Sequence, residues 1–339
     1  MAGRKRSKEH EWMPSRVYQG RSAYEWRPSS GGVIRLCGLE AGHEEVWNAY
    51  KQKLLEFEKN LYIEALIEKF FMSTDFEDLA PATQVDYRKY SKKIIPVFGR
   101  MAPDSVEPQH IRRYMDIRGR HSKVQANREK AFFSRMFRWA YERGYAKRNP
   151  CQGVRQFKEV ARDRYVTDAE YEAVYQHACP VVRAAMEISY LCAARQGDVL
   201  ALKKSQLLEE GIFIQQGKTG KKQIKAWTPA LRKAVSECDE AFGNNSIFVI
   251  HQSTGKQYSR DVFSHRWSKV RQIARAATGL PLDFTFHDLK AKGISDYEGS
   301  VQDKQIFSGH KTERQVSTYN RKVEVVQTLQ KDIGRHKKK

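Results

Sequence analysis

"NREKAFFSRMFRWAYERGYAKRNP", residues 127–150, decides how this chain of 339 residues is organised. Phe133, Met136, Phe137, Ala140 and Tyr141 recur at helical spacing and form one apolar face. Arg128, Lys130, Arg135, Arg138 and Arg143 fall largely elsewhere on the same helix. An aromatic stripe of this kind faces a core rather than a ligand. Gly144 ends the helix and Asn149-Pro150 opens a loop. The stretch closes a helical unit, and "NPCQGVRQFKEVARDR" (149–164) reads as the linker out of it.

Working upstream, residues 60–157 read as a small helical bundle. Within it "ATQVDYRKYSKKIIPVFG" (82–99) carries Val85, Tyr87 and Tyr90 before Pro96 stops the pattern. Residues 1–55 differ. After the basic run Arg4, Lys5, Arg6 and Lys8, "RVYQGRSAYEWRPSSGGVIRLCG" alternates strand-favouring Tyr18, Tyr24, Trp26, Val33 and Ile34 with Gly, Pro and Ser turn signals. This predicts a sheet of about three strands and then a helix from about Glu44. A flexible basic leader with one hairpin is the other reading.

Downstream, from about residue 162 to 339, the pattern is mixed α+β. Thr167 and Glu170 fit a capping box, so a helix should start there. "VVRAAMEISYLCAA" (181–194) and "DVLALKKSQL" (198–207) read as helical. "GIFIQQGKTGKKQIKAW" (211–227) alternates and breaks at Lys218-Thr219-Gly220, the signature of a β-hairpin. Two further helical patterns cover about 261–277 and 287–298. The expectation is a multidomain, mainly α protein: a small three-stranded β domain, a helical bundle, and a mixed α+β domain with a small sheet.

Charge narrows the partner. The chain carries 61 Lys+Arg against 40 Asp+Glu, a formal charge of +21. Such an excess suits a polyanion, nucleic acid above all, with an anionic membrane surface as the alternative. No long apolar run could span a bilayer, and the N-terminus lacks the apolar stretch of a secretory signal. Five scattered cysteines without C-x-x-C spacing argue against a disulfide framework or a zinc site, and place the chain in a reducing cytoplasm.

The third segment offers, in order, Arg195, Lys218, His287, Lys290, His310 and Tyr319. Singly each is weak: a surface charge, a solvated turn, a core tyrosine. Together they suit attack of a tyrosine on a phosphodiester. That reaction gathers negative charge on the non-bridging oxygens, so cations and hydrogen-bond donors must converge there. Histidine can donate to an oxygen or handle the tyrosine proton, and a lysine on a turn can protonate the leaving 5′-hydroxyl. Fixed cations do this without a metal, and neither a metal-ligand cluster nor a persuasive paired-carboxylate signature is visible.

The order R…K…HxxK…H…Y resembles the tyrosine recombinases, the phage integrase family, through "LCAARQGDVLALK", "KTGKK", "FHDLKAKG" and "SGHKTERQVSTY". "FSRMFRWAYERGYAKRNP" is similar to the end of that family's helical core-binding domain, and residues 1–55 to the arm-binding domain of lambda-type integrases. The resemblance implies an arm-type DNA-binding domain at 1–55, a core-binding domain at 60–157 and a catalytic domain at 162–339. It implies a site-specific recombinase working through a 3′-phosphotyrosine bond to Tyr319. In that reading Arg195 clamps phosphate, Lys218 is the general acid, and His287 assists the nucleophile or the phosphate. His310 donates to a non-bridging oxygen and Asp198 supports. Arg4, Lys5, Arg6, Arg128, Arg135 and Arg138 become candidate DNA contacts. Double-stranded DNA with core and arm sites, a homotetramer on it, a host DNA-bending protein and an excision factor are the implied partners. The site of action would be the bacterial host cytoplasm.

One position departs from the family. Lys290 stands where HxxR has arginine, keeping the charge and losing the planar fork. That departure leaves a catalytically weakened DNA-binding protein as one alternative, and a type IB topoisomerase-like nicking and resealing enzyme, which uses the same chemistry, is the other.

Overall fold

The computed structural model describes residue 10 and residues 12–28, 33–59, 62–323 and 325–328, with the backbone alone for 55–59. Arg4, Lys5, Arg6, the turn at 29–32 and the basic tail at 335–339 lie outside the described residues. The chain divides into two compact units, 1–160 and 161–339. Most of the regular structure is helical.

The first unit opens with three antiparallel strands in sequence order, β1 (Val17–Gln19), β2 (Ala23–Trp26) and β3 (Ile34–Gly38). Val17 pairs with Trp26, and a register irregularity at Tyr24/Glu25 twists β2 against β3. Helix α1 (His43–Lys59) follows, and Val46 meets Met13, Val17, Tyr24 and Trp26 in a small core. Trp12 stacks on His43 at 3.6 Å, and its carbonyl accepts from Trp47 Nε1 at 2.8 Å.

A second, larger core gathers α2 (Ile63–Phe71), α3 (Thr74–Glu77), α4 (Pro81–Phe98), α5 (Pro108–Gly119) and α6 (Lys123–Glu142). Ser122 caps α6 by accepting from Gln125 N at 3.2 Å. Phe133, Met136, Phe137 and Ala140 are buried as the periodicity requires, but Tyr141 is exposed at 59%. Phe132 and Trp139 are buried in its stead, because Phe70, Phe71 and Tyr87 approach the adjoining face of α6. Pro96 does not stop α4, which runs on to Phe98. Buried Ile94 and Phe98 hold the last turn to the core, and Gly99 N closes it on Ile95 O at 2.8 Å. Tertiary packing here outweighs the proline's lost donor. The stretch after α6 has no regular structure up to 167, yet it is tied down: the Asn127 amide both donates to Phe157 O and accepts from Phe157 N, each at 2.9 Å.

In the second unit the Thr167–Glu170 capping box starts α7 (Asp168–Gln176) as expected. Helix α8 (Pro180–Leu191) runs through the core, and α9 (Gln196–Leu200) is short. The expected helix over 198–207 is corrected. After Leu200 the backbone leaves the helix to pair with 247–249, with Lys204 N on Ile247 O at 2.8 Å and Val249 N on Leu202 O at 2.9 Å. Strands β4 (Gly211–Gln215) and β5 (Lys222–Ala226) form the expected hairpin. Then come α10 (Pro229–Phe242), α11 (Arg260–Thr278), α12 (Phe286–Asp296), α13 (Val301–Ser308) and α14 (Glu313–Tyr319). Helix α12 packs against α8 so closely that a Cβ on Gly293 would lie 2.1 Å from the Tyr190 carbonyl oxygen. Among the described residues no helix is long and apolar enough to cross a membrane.

Candidate active site

Five of the six predicted site residues converge above a small apolar cluster of Ala193, Ile294 and Val316, against which Phe307 and Tyr319 pack. Three turns build the place. After α8 the backbone kinks at Ala193, whose φ of 50° is left-handed and costs a non-glycine residue about 1–2 kcal/mol. Ser189 holds the kink, its Oγ donating to Ala194 O at 3.0 Å and its carbonyl accepting from Ala194 N at 3.1 Å. The kink turns the Ala193 carbonyl toward α12 and sets Arg195 at the start of α9. The second turn is the end of α13, where Gly309 (φ 68°) caps the helix with its N–H on Gln305 O at 2.9 Å. A Cβ there would also lie 2.6 Å from Gln216 Nε2, so both conformation and space require the glycine that precedes His310. The third is the exit from α14. Ser295 Oγ donates to Tyr319 O at 3.0 Å and accepts from Arg321 N at 2.8 Å, fastening the tyrosine to α12.

Tyr319 is the centre of the arrangement. His287 Nε2 lies 3.1 Å from its hydroxyl, with the rings edge to face. The His310 ring stacks on the phenol at 4.7 Å, and Lys290 Nζ lies 5.8 Å from the ring centre. Arg321 reaches past the same ring to Asp288 Oδ1 at 2.6 Å, in a capping box that also starts α12. Sequence reasoning missed Arg321, Ser295 and Gln216, because a tyrosine's turn partners and a neutral amide leave no periodic or charge signal.

Lys290 is fully buried at 0% exposure, and Nζ donates to the Ala193 carbonyl. Burial, then the charges of Arg195 and Lys225, bring its pKa down to about 7. Burial followed by Lys290, Arg195 and His287 brings His310 down to about 4. His287 is also lowered, by desolvation and then by Lys290. At neutral pH both imidazoles are therefore uncharged. Ser308 Oγ lies 2.8 Å from His310 Nδ1, while His310 Nε2 is buried with no hydrogen-bond partner among the described residues. When Ser308 donates to Nδ1, Nε2 carries the proton, and an unpaired buried N–H of this kind costs about 1–3 kcal/mol until an acceptor arrives. Arg195 gives Nη1 to Gln216 Oε1 at 2.6 Å and lies 4.0 Å from Asp198.

Lys218 stands apart. Its side chain is exposed on the turn between β4 and β5, without a hydrogen-bond or ion-pair partner among the described residues. Lys292 is committed elsewhere: it pairs with Asp168 and Asp296 and is not a substitute for Lys290. On α6, Arg135 and Arg138 are exposed, whereas Arg128 is paired with Glu159 at 3.3 Å.

Residues 164–324 match the phage integrase family, and residues 64–157 match the phage integrase central domain. The integrase of Enterobacteria phage 434 is 29% identical over 198 residues, 54% of this chain and 54% of that protein. This alignment thus spans about half the length of the relative. The integrase of Escherichia phage HK022 is 24% identical, covering 94% of this chain and 96% of that protein. Among solved structures, a lambda integrase dimer bound to a COC′ core site superposes with TM-score 0.67 at 20% identity, over 96% of this chain and 100% of that one. A lambda integrase tetramer bound to a Holliday junction gives 0.64 at 20% identity, over 89% and 97%. These two likenesses speak to the fold.

Proposed function

The chain belongs to the phage integrase family, and from that premise we propose that it is a site-specific DNA recombinase acting through a 3′-phosphotyrosine intermediate. One observation carries the reading: the Tyr319 hydroxyl lies 3.1 Å from His287 Nε2 while Arg195, Lys290 and His310 are gathered around it. Neutral His287 takes the phenol proton as Oη attacks phosphorus. The P–O5′ bond breaks, and the 5′-oxygen takes a proton from the exposed Lys218 side chain. Arg195, Lys290 and the His310 Nε2 proton meet the charge on the non-bridging oxygens. A free 5′-hydroxyl on the partner strand reverses the step, so bond energy is retained and no nucleotide is consumed.

Residues 1–55 act as the arm-binding domain, 60–157 as the core-binding domain and 162–339 as the catalytic domain. Arg4, Lys5, Arg6, Arg135 and Arg138 contribute phosphate contacts. Arg128 joins them only on leaving Glu159. The active assembly is a tetramer on two core sites, aided by a host DNA-bending protein and an excision factor. It works on DNA in the bacterial cytoplasm.

The test uses a pool of duplexes with a fixed nick in a randomised core. Cleavage beside the nick releases a short fragment and traps the protein covalently. Adducts that survive denaturation are sequenced, and the enriched duplex becomes the substrate. Wild type is expected to give adducts and Tyr319→Phe none. An absence of adducts from wild type, with accessory host extract supplied, overturns the proposal in favour of a DNA-binding protein without cleavage.

A further inference from the structure

The general acid raises a difficulty that the rest of the site does not. Lys218 must be free to move, yet it must arrive at one oxygen of a phosphate held by Arg195. The turn that carries it is anchored on both sides of its stem, which leaves the exposed Lys218 side chain to make the approach. Gly217 N donates to Asp198 Oδ1 at 2.9 Å, and Thr219 Oγ1 donates to Gln216 Oε1 at 2.9 Å. The Gln216 carbonyl closes the turn by accepting from Gly220 N at 2.8 Å.

Gln216 does more than close a turn. It is buried at 5% exposure, and Oε1 accepts from Arg195 Nη1 as well as from Thr219. Its Nε2 donates to the Ser308 carbonyl at 2.9 Å, one residue before the Gly309 cap of His310. One amide side chain thus touches the phosphate-clamping arginine, the lysine turn and the histidine segment. Glutamine is the residue type this needs: two donors must be accepted and one carbonyl must be met. A glutamate could not donate to Ser308 and would compete with phosphate for Arg195.

Resting on the reading above, we infer that Gln216 is a positioning residue that ties the Lys218 turn to Arg195, so that the proton for the leaving 5′-oxygen is delivered in register with the clamped phosphate. A misplacement on the order of 1 Å costs roughly 100-fold in rate. The chemistry allows a discriminating test. If the bridging 5′-oxygen is replaced by sulfur, the thiolate leaves without a proton, and defects that lie in proton delivery are bypassed.

Cleavage rates are measured with the enriched duplex in its oxygen form and its 5′-bridging phosphorothiolate form. Gln216→Ala is expected to be slowed about 100-fold on oxygen and by less than about tenfold on sulfur, following the pattern of Lys218→Ala. Arg195→Ala is expected to stay slow on both. Thr219→Val, at a half-exposed position on the turn, tests the same link without opening the core and should show a smaller loss with the same sulfur rescue. Equal losses of Gln216→Ala and Thr219→Val on both substrates would overturn the coupling and leave Gln216 as support for Arg195 alone. Wild-type rates on oxygen for either folded variant would overturn it too, and if Gln216→Ala melts out, Thr219→Val decides. Failure of wild type to cleave either duplex would instead count against the recombinase reading.

Discussion

At Lys290 two demands conflict. The site calls for a cation, yet the position is fully enclosed and already faces Arg195 and Lys225, which push the ammonium toward neutrality with a pKa of about 7. An arginine there would keep its charge throughout. The consequence is a pH dependence with a definite sign. As pH rises through about 7, the free enzyme loses the Lys290 charge, so kcat/KM for cleavage should fall on the alkaline side. The acid side should fall as His287 protonates, below the ordinary histidine value because its pKa is lowered. Lys290→Arg is expected to abolish the alkaline limb near neutrality and leave the acid limb in place. Its larger side chain must enter a closed space, so a stability loss of about 1–3 kcal/mol should accompany the change in thermal melts. An unchanged alkaline limb in the variant would show that another group titrates there. None of this was legible in "HDLK". The spacing places His287 and Lys290 on neighbouring positions of one helix face, and both do face Tyr319. What it could not carry is that Lys290 is enclosed while Lys292, two residues on, is spent on Asp168 and Asp296. Burial is a property of what packs around a helix.

The helices position these residues through close approaches that a sequence pattern records only as a glycine. Gly293 sits on α12 between Lys290 and Ser295, and its bare Cα lets the helix meet the α8 backbone at Tyr190. Gly293→Ala must push α12 from α8. The expected cost is about 1–3 kcal/mol of stability, read from denaturant midpoints. Cleavage should fall further than stability, on the order of 100-fold, because His287, Lys290 and the Ser295 anchor of Tyr319 all move with the helix. A loss of stability with full cleavage would mean that α12 tilts without disturbing the site. Elements with a strong local signal were readable in advance: the three N-terminal strands, the Thr167 capping box, the β4–β5 hairpin and the α6 stripe. Those that failed were decided by distant partners. Pro96 is carried through by Ile94 and Phe98 against the core, and the stretch after Leu200 is drawn out of the α-helix by pairing with 247–249, keeping only a 3-10 turn at Lys204–Gln206. Tyr141 fits the apolar spacing but faces solvent, because Phe132 and Trp139 meet α2 instead.

For the chain as a whole, the net charge of +21 favours the proposed hold on DNA, and salt should weaken that hold according to the number of phosphates contacted. Each phosphate neutralised releases condensed counterions, so the logarithm of affinity falls linearly with the logarithm of salt. If six to ten phosphates are contacted, affinity of the Tyr319→Phe variant for the enriched duplex should drop by roughly 10³–10⁵ between about 50 and 200 mM salt. A random duplex should show a similar slope from a weaker starting point, because the backbone term is common to both. Arg135 and Arg138, exposed on α6, offer a way to localise part of that slope. Replacing both with alanine should reduce its magnitude by about 2, since each phosphate contact accounts for about 1, with the preference for the enriched sequence unchanged. A slope that stays the same would remove α6 from the DNA interface. A lost sequence preference would instead make these arginines readers of bases, and the core-binding role proposed for the bundle would then rest on recognition rather than on charge.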